Sequence, residues 1–91
     1  MIEDFVAFDF ETASGKNPCS LGMVEYKNGK KSREFYELIN PEVAYFNPFA
    51  IQIHGITYED VQHERNFSEL WDAMLPFIEG KTLVAHNAKF D

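Results

Sequence analysis

Cysteine is all but absent from these 91 residues: a lone Cys19 excludes an internal disulfide and has no ligand partner at zinc spacing, so it reads as a small buried hydrophobe. Long apolar runs are missing too. Nothing approaches the roughly 18 residues of a membrane-spanning helix, which argues against a membrane partner. Glu3 and Asp4 stand where a signal peptide would carry its basic region, so the expected localisation is cytoplasmic. Positive charge is also scarce, with 8 Lys and Arg against 15 Asp and Glu and a formal net charge of −7. A nucleic-acid binder usually shows a basic stripe. Here the one basic cluster, Lys27, Lys30, Lys31 and Arg33, surrounds a turn and reads as a solvated hairpin tip. Divalent ions held by carboxylates would reverse the sign locally, whatever the global charge. The length fits a single domain with one modest core.

Acidic signals stand at the two ends of the chain. Asp9-Phe10-Glu11-Thr12 follows the apolar run Phe5-Val6-Ala7-Phe8, and His86-Asn87-Ala88-Lys89-Phe90-Asp91 follows Thr82-Leu83-Val84-Ala85. In a strand, side chains at i and i+2 share a face, so Asp9 and Glu11 project together with Phe10 turned away. Carboxylates forced close repel unless one takes up a proton or a cation sits between them. A divalent metal is the simplest account of the pair. All-oxygen ligation suits magnesium or manganese better than zinc. The competing view is that Asp9 and Glu11 are ordinary solvated acids at a strand end.

The pattern of the chain places these motifs. Asp4 to Phe10 reads as a central strand covered on both faces. Ser20 to Tyr26 and Lys31 to Ile39 read as strands joined by an Asn28-Gly29 hairpin, completing an antiparallel meander. Ala13 to Pro18 reads as a surface loop rich in turn residues. Phe49 to His54 forms a short helix stopped by Gly55. Phe67, Leu70, Trp71, Met74 and Ile78 recur at helical spacing and read as core, with Asn66 and Glu69 as a capping box and Gly80 as the stop. Pro76 is expected to kink or shorten the last turn. Thr82 to Ala85 returns as a buried strand parallel to the first, since a helix precedes it.

Together the motifs resemble those of the DEDD exonuclease superfamily, in the group that includes the epsilon subunit of bacterial DNA polymerase III and the oligoribonucleases. Asp9-Phe10-Glu11-Thr12 is similar to its first motif, His54-Gly55-Ile56-Thr57 to a signature that precedes a helix, and Ala85 to Asp91 to its second motif. The resemblance implies an RNase H-like α/β fold: a mixed sheet with three antiparallel strands and a parallel fourth, lacking the last strand and helix. It implies that residues 1–91 are the N-terminal part of one exonuclease domain, a cut-short form whose third motif, with the catalytic histidine, is absent. The implied activity is metal-dependent 3′→5′ hydrolysis of terminal phosphodiesters in single-stranded DNA. Asp9, Glu11 and Asp91 would be catalytic and hold two Mg2+ or Mn2+ ions, with Thr12, His54, Asn87 and Phe90 as substrate contacts. His54 stays open between a nucleotide contact and a helix-end role, Thr12 between a local hydrogen bond and the terminal sugar, and Phe90 between base stacking and core. His86 reads as structural and His63 as solvent-facing. The implied partners are the 3′ end of single-stranded DNA and a DNA polymerase subunit. An exoribonuclease, and a non-catalytic polymerase-associated module forming homo-oligomers through an exposed sheet edge, are the alternatives.

Overall fold

The computed structural model describes residues 4–85. Four strands form one sheet: β1 (Phe5–Ser14), β2 (Asn17–Lys27), β3 (Lys30–Leu38) and β4 (Leu83–Ala85), in the order β3-β2-β1-β4. The first three make an antiparallel meander, and β4 runs parallel to β1 with Val6 opposite Leu83. Asn28 and Gly29, at φ of 54° and 76°, supply the two left-handed residues of a tight hairpin turn between β2 and β3. Three helices lie between β3 and β4: α1 (Pro48–His54), α2 (Tyr58–Val61) and α3 (Phe67–Ile78).

Helix α3 begins as its sequence requires. The Asn66 side chain accepts from the Glu69 N–H at 2.9 Å, and the Glu69 carboxylate accepts from the Asn66 N–H at 3.0 Å. Leu70, Met74 and Ile78 then turn one stripe onto the sheet, against Val6, Leu21, Met23 and Ile39, with Phe8, Phe10 and Phe35 packed around them. Phe67, at the upper edge, stays partly exposed while its ring meets Phe10 at 5.7 Å and Trp71 at 5.6 Å. Pro76 does not shorten the helix, which continues to Ile78; a proline one residue into the last turn removes little of the ladder.

Besides the exposure of Phe67, expected in the core, and of β4, expected to be buried but with Leu83 and Val84 each 40% exposed, two expectations need correction. Ala13 to Pro18 is not a surface loop: β1 continues to Ser14, turns at Gly15-Lys16, and β2 starts at Asn17. The ladder persists through two opposed irregularities. Glu11 faces Ser20 but Thr12 faces Pro18, leaving Cys19 as the extra residue on β2, and Ser14 faces Asn17, leaving Ala13 as the extra residue on β1. Both extra residues are fully buried in a second apolar cluster with Phe46, Ile56 and Val61. The other correction is α2, unforeseen from sequence, whose start is fixed by the Asp60 carboxylate accepting from the Thr57 N–H and hydroxyl.

The far end of the sheet closes on a buried charge. Glu25 is 1% exposed on the helix-facing side of β2. It accepts from Arg33 Nε at 3.0 Å and from Lys81, and both cations lie over the Phe77 ring. Hydrogen bonds from Arg33 and then Lys81 outweigh desolvation and hold the Glu25 carboxyl down at about 2, from an ordinary 4.5.

Two measurements check this packing. Leu70→Ala is expected to cost about 2–5 kcal/mol of unfolding free energy in urea titration, the range for a fully buried leucine. Because the Glu25 pKa is lowered in the folded state, its stabilisation is present above pH 4.5 and is lost as pH falls towards 2. The melting-temperature gap between wild type and Glu25→Gln should therefore be constant near neutrality and shrink between pH 4.5 and 2.

Candidate active site

Strand β1 sorts its side chains by alternation. Val6, Phe8 and Phe10 point to α3, so Asp9 and Glu11 share the opposite face, with Ala7. No helix covers that face among the described residues. Asp9 lies opposite Gly22 on β2, which in turn lies opposite Tyr36 on β3. A Cβ placed on Gly22 would sit 3.9 Å from both the Asp9 carbonyl oxygen and the Tyr36 ring, so the glycine leaves the space beside Asp9 open without being sterically required. A shallow concavity of about 530 Å³ results, lined by Asp9, Gly22, Val24, Glu34 and Tyr36 among others.

Both carboxylates are partly exposed, and among the described residues neither makes an ion pair or a hydrogen bond. Two acceptors on one face, with no cation or donor engaged, have the chemistry of a divalent-metal half-site. Among the described residues there is no cluster of three or more potential ligands. Asp91, the third expected ligand, lies outside the described residues, as do Asn87, Phe90 and His86, the last expected to be structural.

The bulged segment just past Glu11 is anchored from three sides. Its carbonyls find partners outside the β1–β2 ladder: Ile39 N–H donates to Cys19 O at 2.8 Å, Asn47 N–H to Ala13 O at 2.8 Å, and His54 Nε2 bonds Thr12 O at 2.9 Å. Asn47 also caps α1, its side chain accepting from Phe49 N–H at 2.9 Å ahead of Pro48. At the other end of α1, Gly55 takes the left-handed conformation at φ 73° that lets the chain turn.

For His54, then, both ring nitrogens are bonded within the chain: Ile56 N–H donates to Nδ1 at 2.9 Å while Nε2 meets the Thr12 carbonyl. What remains for a ligand is the ring's faces and carbon edge. His63 is exposed as expected. The involvement of Cys19 was not foreseen: its Sγ lies 3.9 Å from His54 Nε2. Burial, then the Glu11 charge, pushes the Cys19 thiol up to about 11.

A family model described as exonuclease, RNase_T, matches residues 6–91. The PolC-type DNA polymerase III of Thermotoga petrophila is 35% identical over 92 residues, covering 96% of this chain and 7% of that protein. The DNA polymerase III epsilon subunit of Escherichia coli is 32% identical over 78 residues, covering 85% of this chain and 32% of that one. Among solved structures, exonuclease X in complex with 5′-overhanging duplex DNA superposes with a TM-score of 0.77 at 26% identity, over 96% of this chain and 51% of that chain. The chain thus spans a small part of the polymerases, about a third of the epsilon subunit and about half of exonuclease X.

The position of Cys19 gives a direct check on Glu11. A rise from 9.0 to about 11 lowers the thiolate fraction at pH 8 by about a hundredfold. Iodoacetamide labelling of the folded chain should be slower than in urea by at least that factor, and Glu11→Gln should speed it measurably without unfolding the protein.

Proposed function

The chain belongs to the exonuclease family, and we propose that it forms the N-terminal part of a metal-dependent 3′→5′ exonuclease domain acting on single-stranded DNA. The observation that carries the metal reading is the shared face of Asp9 and Glu11, free of any cation or donor among the described residues and open to solvent. The likeness to exonuclease X and to polymerase III proteins supports DNA as substrate and a polymerase as partner. Among the described residues no helix is long and apolar enough to cross a membrane, and a cytoplasmic location fits a replication enzyme.

Asp9 and Glu11 would hold two divalent ions, magnesium or manganese, together with Asp91. Bound there, the ions would supply Lewis acidity for activating the attacking water and stabilising the leaving 3′-oxygen. The chain's own contribution is orientation. Strand β1 presents both carboxylates on one face, and Thr12, the next residue along the strand, is proposed to meet the terminal sugar. Asn87 and Phe90, outside the described residues, are proposed as further nucleotide contacts on the strength of the family resemblance alone. The −7 charge makes such a site depend on its ions, since phosphate approaching Asp9 and Glu11 alone meets repulsion.

The test uses labelled single-stranded DNA and matched RNA with the full-length protein that carries these residues, in magnesium or manganese. Digestion from the 3′ end, abolished by EDTA and reduced by at least about a hundredfold in Asp9→Ala, is expected. Preference for RNA in competition would make the protein an exoribonuclease. Absence of digestion with either substrate would leave a non-catalytic assembly module. The 91-residue stretch alone, about half the length of exonuclease X, is expected to turn over little.

A further inference from the structure

One imidazole ties the end of α1 to the bulged end of β1. Ile56 N–H can only donate, so His54 Nδ1 at 2.9 Å must accept; the Thr12 carbonyl can only accept, so Nε2 at 2.9 Å must donate. The two bonds together fix the Nε2–H tautomer and leave the ring no rotation about its own axis. Thr12 is the residue immediately after Glu11, and its carbonyl belongs to the peptide that enters the bulge at Ala13. The regular ladder, which pairs Asp9 with Gly22 and Glu11 with Ser20, ends here. The His54 bond holds the first peptide beyond that end, next to Glu11.

We propose that His54 is a positioning residue that aims the Glu11 carboxylate by holding the Thr12 peptide, and that it acts on metal affinity at Asp9 and Glu11 more than on nucleotide binding. The inference rests on the exonuclease reading of that pair. Its reach is short: imidazole, Thr12 peptide, Glu11. Helix α1 supplies a rigid base, capped by Asn47 at one end and turned at Gly55 at the other, and Asn47 N–H holds the adjoining Ala13 carbonyl at 2.8 Å. Cys19 Sγ, at 3.9 Å from Nε2, sets the half-buried ring against one of the two bulged residues as well. Supports of this outer kind typically govern metal affinity by 10- to 100-fold.

The two ring bonds can be separated by substitution. In His54→Asn the side-chain oxygen can still accept from Ile56 N–H as in an Asx turn, but the amide falls short of Thr12. In His54→Gln the amide nitrogen can reach the position of Nε2. Titration of Mn2+ into the full-length protein, followed by electron paramagnetic resonance, should show binding weakened roughly 10- to 100-fold in His54→Asn and largely restored in His54→Gln. The oligonucleotide KM should be unchanged in both, with kcat following metal occupancy. Equal Mn2+ affinity in all three proteins, or a change confined to KM, would overturn the proposal. Nitrogen-15 NMR of the wild-type imidazole gives an arm that does not depend on any variant folding: the Nε2–H tautomer is expected, and an Nδ1–H tautomer would refute the tether. Wild type that neither binds Mn2+ nor cleaves DNA would sink the exonuclease reading itself. Binding that Asp9→Ala abolishes and His54→Asn leaves untouched would sink only the positioning role.

Discussion

The register of β1 is the constraint on which everything else depends. Val6, Phe8 and Phe10 must face Leu70, Met74 and Ile78, and the same alternation forces Asp9 and Glu11 onto the opposite side. A slip of one residue would press two carboxylates into an apolar core with no cation to meet them, at a cost of several kcal/mol each. It would also turn Phe8 and Phe10 out to solvent. Pairing on both sides secures the register: β2 matches β1 residue for residue from Phe5 to Glu11, and β4 adds parallel bonds, including Val6 N–H to Thr82 O at 2.8 Å. One packing decision thus creates the core and the candidate metal face together.

Charge is arranged along the sheet to match. At the hairpin end, Glu25 is buried and fully compensated by Arg33 and Lys81 over Phe77, while Lys31 pairs with Glu34. At the other end, Asp9 and Glu11 have no such partners among the described residues. The same side-chain chemistry therefore does opposite work in two places. A carboxylate saturated by two cations is a structural fastening; a pair left with no cation retains its capacity to bind one.

What sequence showed and what it hid divide along the range of the interaction. The Asn66 and Glu69 capping box, the Asn28-Gly29 hairpin, the stop at Gly55 and the parallel return at Leu83 are local signals, and each is where it was expected. Asp9 and Glu11 were legible for the same reason, since period two needs only the strand itself. The bulges at Ala13 and Cys19 were not. Turn-rich Ala13 to Pro18 looks like a loop, and the burial of Ala13 and Cys19 against Phe46 and Ile56, both distant in sequence, is what local reading misses. Thr57 and Asp60 carried a readable box for α2 that was overshadowed by the neighbouring His54-Gly55 signal. The burial of Glu25 has no local signal either, since Lys81, one of its two cationic partners, is 56 positions away.

His54 shows how a short motif can belong to a site without touching its chemistry. Gly55 must be left-handed to end α1, and that turn brings the Ile56 N–H back onto the imidazole of the residue two before it. The ring so oriented presents its remaining N–H to the Thr12 carbonyl, which receives it. By the alternation that turns Val6 N–H to Thr82 O, that carbonyl faces the β4 side of β1. On the positioning role proposed for His54, the succession of histidine, glycine and isoleucine serves the geometry around Glu11, whichever nucleic acid or metal the site accepts.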